Sequence, residues 1–290
     1  MTTSFTKIGI IGKHTNPEVH STIASLVSFL QAQGLEIIME ERCAQSMSNL
    51  FVKQATREAL GALCDLIIVV GGDGSLLDAA RAVVDNGVPV VGVNRGRRGF
   101  LTDISPQALT QSLEPLLAGK YQEEHRFLLE MELQRDNEVI AQSMALNDVV
   151  IYSGDIARMI EFEVIIDKLV VYRQRSDGLI TSTPTGSTAY ALSGGGPILH
   201  PTLNAIALVP MHPPMLTSRP IVVDSKSTIE IHIMPDNLLN PRLSCDGQVH
   251  FNALPNDRII ISRKAKELRL LHPTDYDYYH TLRTKLGWSA

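Results

Sequence analysis

The chain has 290 residues, 44% of them hydrophobic and 20% charged, the balance of a folded globular protein with more chain than one small core can use. That composition excludes disorder, and three cysteines (Cys43, Cys64 and Cys245) cannot staple a chain of this length, so reduced thiols in a cytoplasmic protein are expected. With 26 Lys and Arg against 31 Asp and Glu the formal charge is −5, which argues against nucleic acid as the main partner.

Residues 7–11 (KIGII) read as a buried strand. Val19, Ile23, Leu26 and Leu30 follow at helical spacing, and Gly34 is a natural stop. Residues 35–39 predict a second strand, residues 49–63 a second helix, and residues 66–70 (LIIVV) the clearest strand of the chain. A helix over 76–84 and a strand over 89–93 continue the alternation, which requires βαβ units and a parallel sheet. From Phe127 the rhythm changes to period two. Residues 127–133, 159–166 and 228–234 each have one apolar face, and 169–172, 258–262 and 268–271 are further short strands. Residues 276–288 read as helical again. The expected architecture is an open parallel α/β sheet domain over 1–125 followed by an antiparallel β-sandwich over 126–273, with 274–290 docking back onto the first.

Residues 179–218 carry no Asp, Glu, Lys or Arg over a length that would span a bilayer, but their Gly, Pro, Ser and Thr density excludes a lipid-exposed helix. No membrane partner is expected. Nor does a basic stretch followed by an apolar run open the sequence as in a signal peptide.

Three places carry chemistry. Gly71-Gly72-Asp73-Gly74-Ser75 follows LIIVV directly and opens a helix. Glycines there let the backbone approach a phosphate, and Ser75 is placed to cap the helix, whose amides favour an anion. Asp73 is the oddity, since a carboxylate repels phosphate unless it meets a metal or takes a proton from a hydroxyl. The same tripeptide also fits a plain turn, with Asp73 bonded to nearby amides. The second place, residues 177–197 (DGLITSTPTGSTAYALSGGGP), is dense in hydroxyls and glycine, which suits phosphate, ribose or carboxamide, and Tyr190 offers a flat face for adenine. It also fits a Ser/Thr/Gly loop over the mouth of the β domain. The third is a scatter of polar residues, Asn147-Asp148, Arg158, Arg173, Arg175 and the Asp246-Gly247-Gln248 turn, whose value depends on convergence. The Walker phosphate loop, G-x-G-x-x-G, G-x-S-x-G and H-E-x-x-H are all absent, which removes the common ATPase, dehydrogenase, esterase and zinc-protease readings.

In their order along the chain, these segments resemble those of NAD kinases, which phosphorylate the 2′-hydroxyl of the adenosine ribose of NAD to give NADP. The matching stretches are GGDGS, the segment Asn94-Arg95-Gly96-Arg97-Arg98-Gly99-Phe100-Leu101-Thr102, Asn147-Asp148, DGLITSTPTGSTAYALSGGGPI, SCDGQ over 244–248 and the C-terminal KLGW. The resemblance implies Asp73 as general base beside Gly74, with Gly71, Gly72 and Ser75 in the phosphate loop. It implies Asn147 and Asp148 near the riboses, Arg158 and Arg175 toward the phosphates, and Asp177 on the nicotinamide carboxamide. Thr188, Ala189, Tyr190, Ala191, Leu192 and Ser193 would line the adenosine end, and Gln248 would close the pocket. It further implies ATP with a divalent cation (magnesium or manganese), a cytoplasmic location and a homo-oligomer, dimer or tetramer. The chain departs from the family pattern at Asp148, where Glu is commoner, at Ser75, at Gly194, and at Pro214, where many relatives have a histidine; His212 is the nearest here. One alternative is a lipid or sugar kinase sharing only G-G-D-G; a lipid kinase would show an apolar acceptor groove in place of the hydroxyl-rich 183–193. A silent NAD(P)-binding sensor would have no use for Asp73.

Overall fold

A computed structural model of the chain describes residues 5–13, 16–47, 52–95, 99–154, 158–215, 217–238 and 240–288. By its internal contacts the chain falls into two units, Met1–His125 with Lys266–Ala290, and Arg126–Ala265.

The first unit is built on β1 (Lys7–Gly12), α1 (Pro17–Ala32), β2 (Glu36–Glu40), α2 (Glu41–Gln45), β3 (Lys53–Ala55), α3 (Arg57–Leu63), β4 (Leu66–Gly71), α4 (Asp73–Val83), β5 (Val90–Asn94) and α5 (Leu109–Leu117). Its strands are parallel in the order β5-β4-β1-β2-β3. Every residue of β4 is buried, as expected for a strand covered by helices on both faces. α1 shows how local chemistry sets an element. Asn16 accepts the Glu18 amide, Pro17 opens the first turn, and Val19, Ile23, Leu26 and Leu30 form the buried stripe. The helix expected over 49–63 is not what forms. Residues 49–51 lie outside the described residues; Lys53–Ala55 pairs with β2 as an edge strand, and Thr56 caps a shorter helix by accepting the Ala59 amide. α5 buries Leu109, Leu113, Leu116 and Leu117, although Pro115 inside it argues against a helix.

The second unit is all antiparallel. It contains β6 (Gln122–Arg135, from Arg126 on), β7 (Glu138–Ala145), β8 (Asp148–Tyr152), β9 (Ile160–Ile166), β10 (Leu169–Ser176), β11 (Gly178–Ser182), the short α6 (Tyr190–Ser193), β12 (Ala205–Met211), β13 (Ile221–Asp224), β14 (Ile229–Ile233), β15 (Arg242–Cys245), β16 (Val249–Asn252) and most of β17 (Arg258–His272). One layer orders its strands β10-β9-β14-β17, with β6 beside β17 and β7 beside β6; the other is β13-β12-β11-β8-β15-β16. Alternate residues of both layers, among them Leu129, Met131, Val149, Ile151, Phe162, Leu179, Leu208, Ile231, Leu243 and Ile259, share one core. Residues 258–262 and 268–271 are not separate strands. The charged middle of β17 stays in the ladder because its side chains are satisfied: the Arg263 guanidinium lies 4.7 Å over the Phe127 ring, and Lys264 donates to Glu130 at 2.9 Å. The end of β17 belongs to the first unit, where Leu270 pairs with Val90, and α7 (Tyr278–Leu286) follows it there, capped by Asp277.

Candidate active site

In the first unit, β4 delivers Asp73 into the opening turn of α4. The N-cap is Gly72, with no side-chain capping bond, so Ser75 lies within the first turn and does not cap the helix as the sequence suggests. The Asp73 carboxylate instead reaches across the chain. Oδ2 accepts the Phe100 amide at 2.7 Å and Oδ1 the Leu101 amide at 3.0 Å. Burial pushes its pKa above the ordinary carboxylate value; these two amides and Lys285 pull the other way, while Asp103 adds to the rise. Gly99 leaves the room for this grip, since a Cβ there would stand 2.7 Å from Asp73 Oδ1. Beside it is a cavity of about 260 Å³ lined by Asn94, Gly99, Thr102, Asp103 and, from the C-terminal segment, Tyr276, Asp277, His280, Thr284 and Lys285. Gly74 is exposed and Ser75 half-buried. Of the matching segment over 94–102, residues 96–98 lie outside the described residues.

In the second unit, a pocket of about 330 Å³ is lined by Asn147, Asp148, Val150, Tyr152, Ala189, Tyr190, Ser244, Asp246 and Gly247. Asp148 is only 4% exposed; burial, and then the Asp246 charge, push its pKa up to about 7. The Tyr190 ring remains 46% exposed, open for a flat partner. Asp246 accepts the amides of Leu146 and Asn147.

The hydroxyl-rich segment behaves differently from expectation. Thr183 Oγ1 donates to the Leu146 carbonyl and accepts the Gly186 amide, Ser182 donates to the Thr183 carbonyl, and Ser187 links the Pro184 carbonyl to the Leu199 amide. All three are buried, so these hydroxyls shape the loop's own backbone. Ala191 packs with Val150, Ile180, Leu199, Ala207 and Val209, and thus faces the core. Leu192 is half-buried, Ser193 exposed, and Thr188 donates to the Thr185 carbonyl. Arg158, Arg175 and Gln248 are exposed, and Arg173 pairs with Glu161 at 2.7 Å. Asp177 meets His212 Nδ1 at 3.2 Å, a partner for the histidine whose role the sequence leaves open. The structure therefore brings Asn147, Asp148, Ala189 and Tyr190 to one pocket and adds Val150, Tyr152, Ser244 and Asp246. Val150 and Tyr152 follow Asp148 at period two on β8, a signal that was legible in the sequence.

Family models agree over most of the chain. The ATP-NAD kinase N-terminal domain matches residues 8–121, and the ATP-NAD kinase C-terminal domain residues 146–272. An NAD kinase of Pseudomonas entomophila is 51% identical over 286 residues, covering 99% of this chain and 97% of that protein. One of Chromohalobacter salexigens is 52% identical, covering 99% and 98%. Among solved structures, yeast NADH kinase complexed with NADH superposes with a TM-score of 0.91 at 24% identity, covering 98% of this chain and 88% of that one. An NAD kinase from Archaeoglobus fulgidus in complex with ATP gives 0.76 at 23% identity, covering 98% and 100%. At these identities the two structures speak for the fold.

Proposed function

The chain belongs to the NAD kinase family and is an NAD kinase, and from that premise we propose how its residues divide the work. ATP supplies the phosphoryl group and the 2′-hydroxyl of the adenosine ribose of NAD receives it. Asp73 is the general base: two amides hold its carboxylate in one orientation while lone pairs on both oxygens remain for the hydroxyl proton. Its raised pKa suits that task better than an ordinary Asp would. That clasped, half-buried carboxylate just after β4 is the observation that carries the reading. Gly71, Gly72, Gly74 and Ser75 form the phosphate loop, where the opening of α4 favours phosphate oxygens. Asn147, Asp148 and Ala189 hold the adenosine ribose, and Tyr190 stacks on adenine. Exposed Arg158 and Arg175 serve the phosphates, Gln248 closes the pocket, and Asp177 with its His212 partner takes the carboxamide.

Among the described residues no three His, Cys, Asp or Glu side chains stand together as a metal cage. The divalent cation, magnesium or manganese, enters with ATP as part of the substrate, as Mg²⁺ commonly binds through one or two carboxylates plus substrate phosphates. The two units serve as the two domains, and the enzyme works as a cytoplasmic homo-oligomer, dimer or tetramer. No described helix is long and apolar enough to cross a membrane.

Asp73→Asn tests the central assignment. It keeps the shape and removes the base, so kcat for NADP formation from NAD, ATP and magnesium should fall by roughly 10²–10⁴-fold while NAD still binds. A folded variant with near wild-type turnover would refute the base.

A further inference from the structure

The turn between β15 and β16 puts a non-glycine residue, Asp246, at φ 54°, followed by Gly247 at φ 64°. A left-handed aspartate usually repays its backbone cost by bonding to its own turn. This one spends its carboxylate about a hundred residues away. Oδ2 accepts the Leu146 amide at 3.1 Å, and Oδ1 accepts the Asn147 amide at 2.7 Å and the Asp148 amide at 3.3 Å. The Asp246 amide completes the exchange by donating to the Asp148 carbonyl at 2.9 Å. Three successive amides turned on one carboxylate fix the backbone from which the Asn147 and Asp148 side chains project. Asp246 also lines the same pocket as those side chains.

We propose that Asp246 is a positioning residue for NAD, holding Asn147 and Asp148 in register and setting the charge of Asp148 through its own. The proposal rests on the reading of this pocket as the NAD site. Around the buried Asp148 carboxyl the ionisable groups are Tyr152 on its own strand, Tyr190 on α6, and Cys245 and Asp246 at the end of β15. On β11, Ser182 pairs with it, and Arg242 pairs with Tyr152 at the other end of β15. The charge that acts on the carboxyl from this set is that of Asp246. Its repulsion adds to burial, and together they leave Asp148 titrating at about 7. The ionised form accepts hydroxyl hydrogen bonds more strongly than the protonated one, so NAD affinity should climb as pH rises through that value.

The experiment measures KM for NAD and kcat between pH 5.5 and 9 for the whole enzyme and for Asp246→Asn, Asp246→Glu and Asp148→Asn, with melting curves as a check on folding. Wild-type KM is expected to fall through a midpoint near 7. In Asp246→Asn, an NH₂ replaces one acceptor and the charge is gone. KM should rise by about tenfold, more than kcat falls, and the midpoint should move to lower pH. Asp246→Glu restores the charge but misplaces the acceptors, so the midpoint returns while KM stays high. It also carries the test if the Asn variant does not fold. A midpoint unmoved by Asp246→Asn, a wild-type profile without one, or a wild-type KM in Asp246→Glu would overturn the proposal. If Asp148→Asn keeps both the KM for NAD and its pH dependence, the NAD-site reading itself has failed.

Discussion

Asp73 and Asp148 are both acids at the end of a buried strand, and the fold treats them in opposite ways. Asp73 accepts two backbone amides that offset part of the cost of burial. Asp148, 4% exposed, meets burial and a second carboxylate, and its pKa rises to about 7 without an amide to oppose it. The amides of Leu146, Asn147 and Asp148 itself are turned toward Asp246. A carboxylate that must accept a proton repeatedly needs a fixed orientation. One that must bind a sugar needs an open face, and the protein tolerates the instability this brings.

Glycine substitutions probe that contrast most strongly. A Cβ on Gly186 would come within 2.2 Å of the Asn147 carbonyl oxygen and 2.5 Å of its carbon. Backbone cannot yield cheaply, so Gly186→Ala should cost more than about 3 kcal/mol of stability, read by denaturant unfolding. On Gly99 the same atom would meet a side chain, Asp73 Oδ1 at 2.7 Å. That carboxylate can shift, so Gly99→Ala should cost about 1–2 kcal/mol but lower kcat as the base moves. Equal losses in the two variants would break the distinction.

Tyr190→Ala removes a half-exposed ring from the Asp148 side only. It should cost on the order of 1–3 kcal/mol of stacking, seen as a higher KM for NAD with the KM for ATP little changed. A loss confined to ATP would mean that the two nucleotides have been exchanged.

Substitution by Asn separates the acids by the sign of the melting shift. Because the folded-state pKa of Asp148 lies above its unfolded value of 3.8, the folded state holds the extra proton between 3.8 and about 7, and wild type loses stability as pH rises through that window. Asp148→Asn, which resembles the protonated form, should therefore melt higher than wild type at pH 8, with a gain that shrinks toward pH 4. Asp73→Asn should melt lower, because its NH₂ would face a backbone amide donor. Two shifts of the same sign would remove the comparison.

The smallest effect belongs to His272. Burial would lower its pKa, but hydrogen bonds to Asp103 and Glu124 outweigh that and raise it. The stabilisation is complete below the unfolded value of 6.5 and is lost as pH climbs through the raised folded value. His272→Gln should cost stability at pH 6 and progressively less above it, as followed by thermal melts.

Local pattern was enough for much of this molecule. Apolar runs separated by helical spacing determined β1, α1, β4 and the parallel sheet, and period-two alternation determined β9, β14 and the two-layered core, because burial of one face or two is written in every few residues. The motifs, read through the family they resemble, marked Asp73, Asn147, Asp148 and Tyr190. Tertiary structure decided what those residues do to each other. Asp73 found its amides 27 and 28 residues on, Asp246 found three amides about a hundred residues back, and the Ser182, Thr183 and Ser187 hydroxyls turned to backbone groups of the loop and of Leu146. Charged side chains also kept β17 continuous through a stretch that reads as a break. Periodicity records which face is buried. It does not record which distant group a carboxylate will meet: two amides at Asp73, a second carboxylate at Asp148.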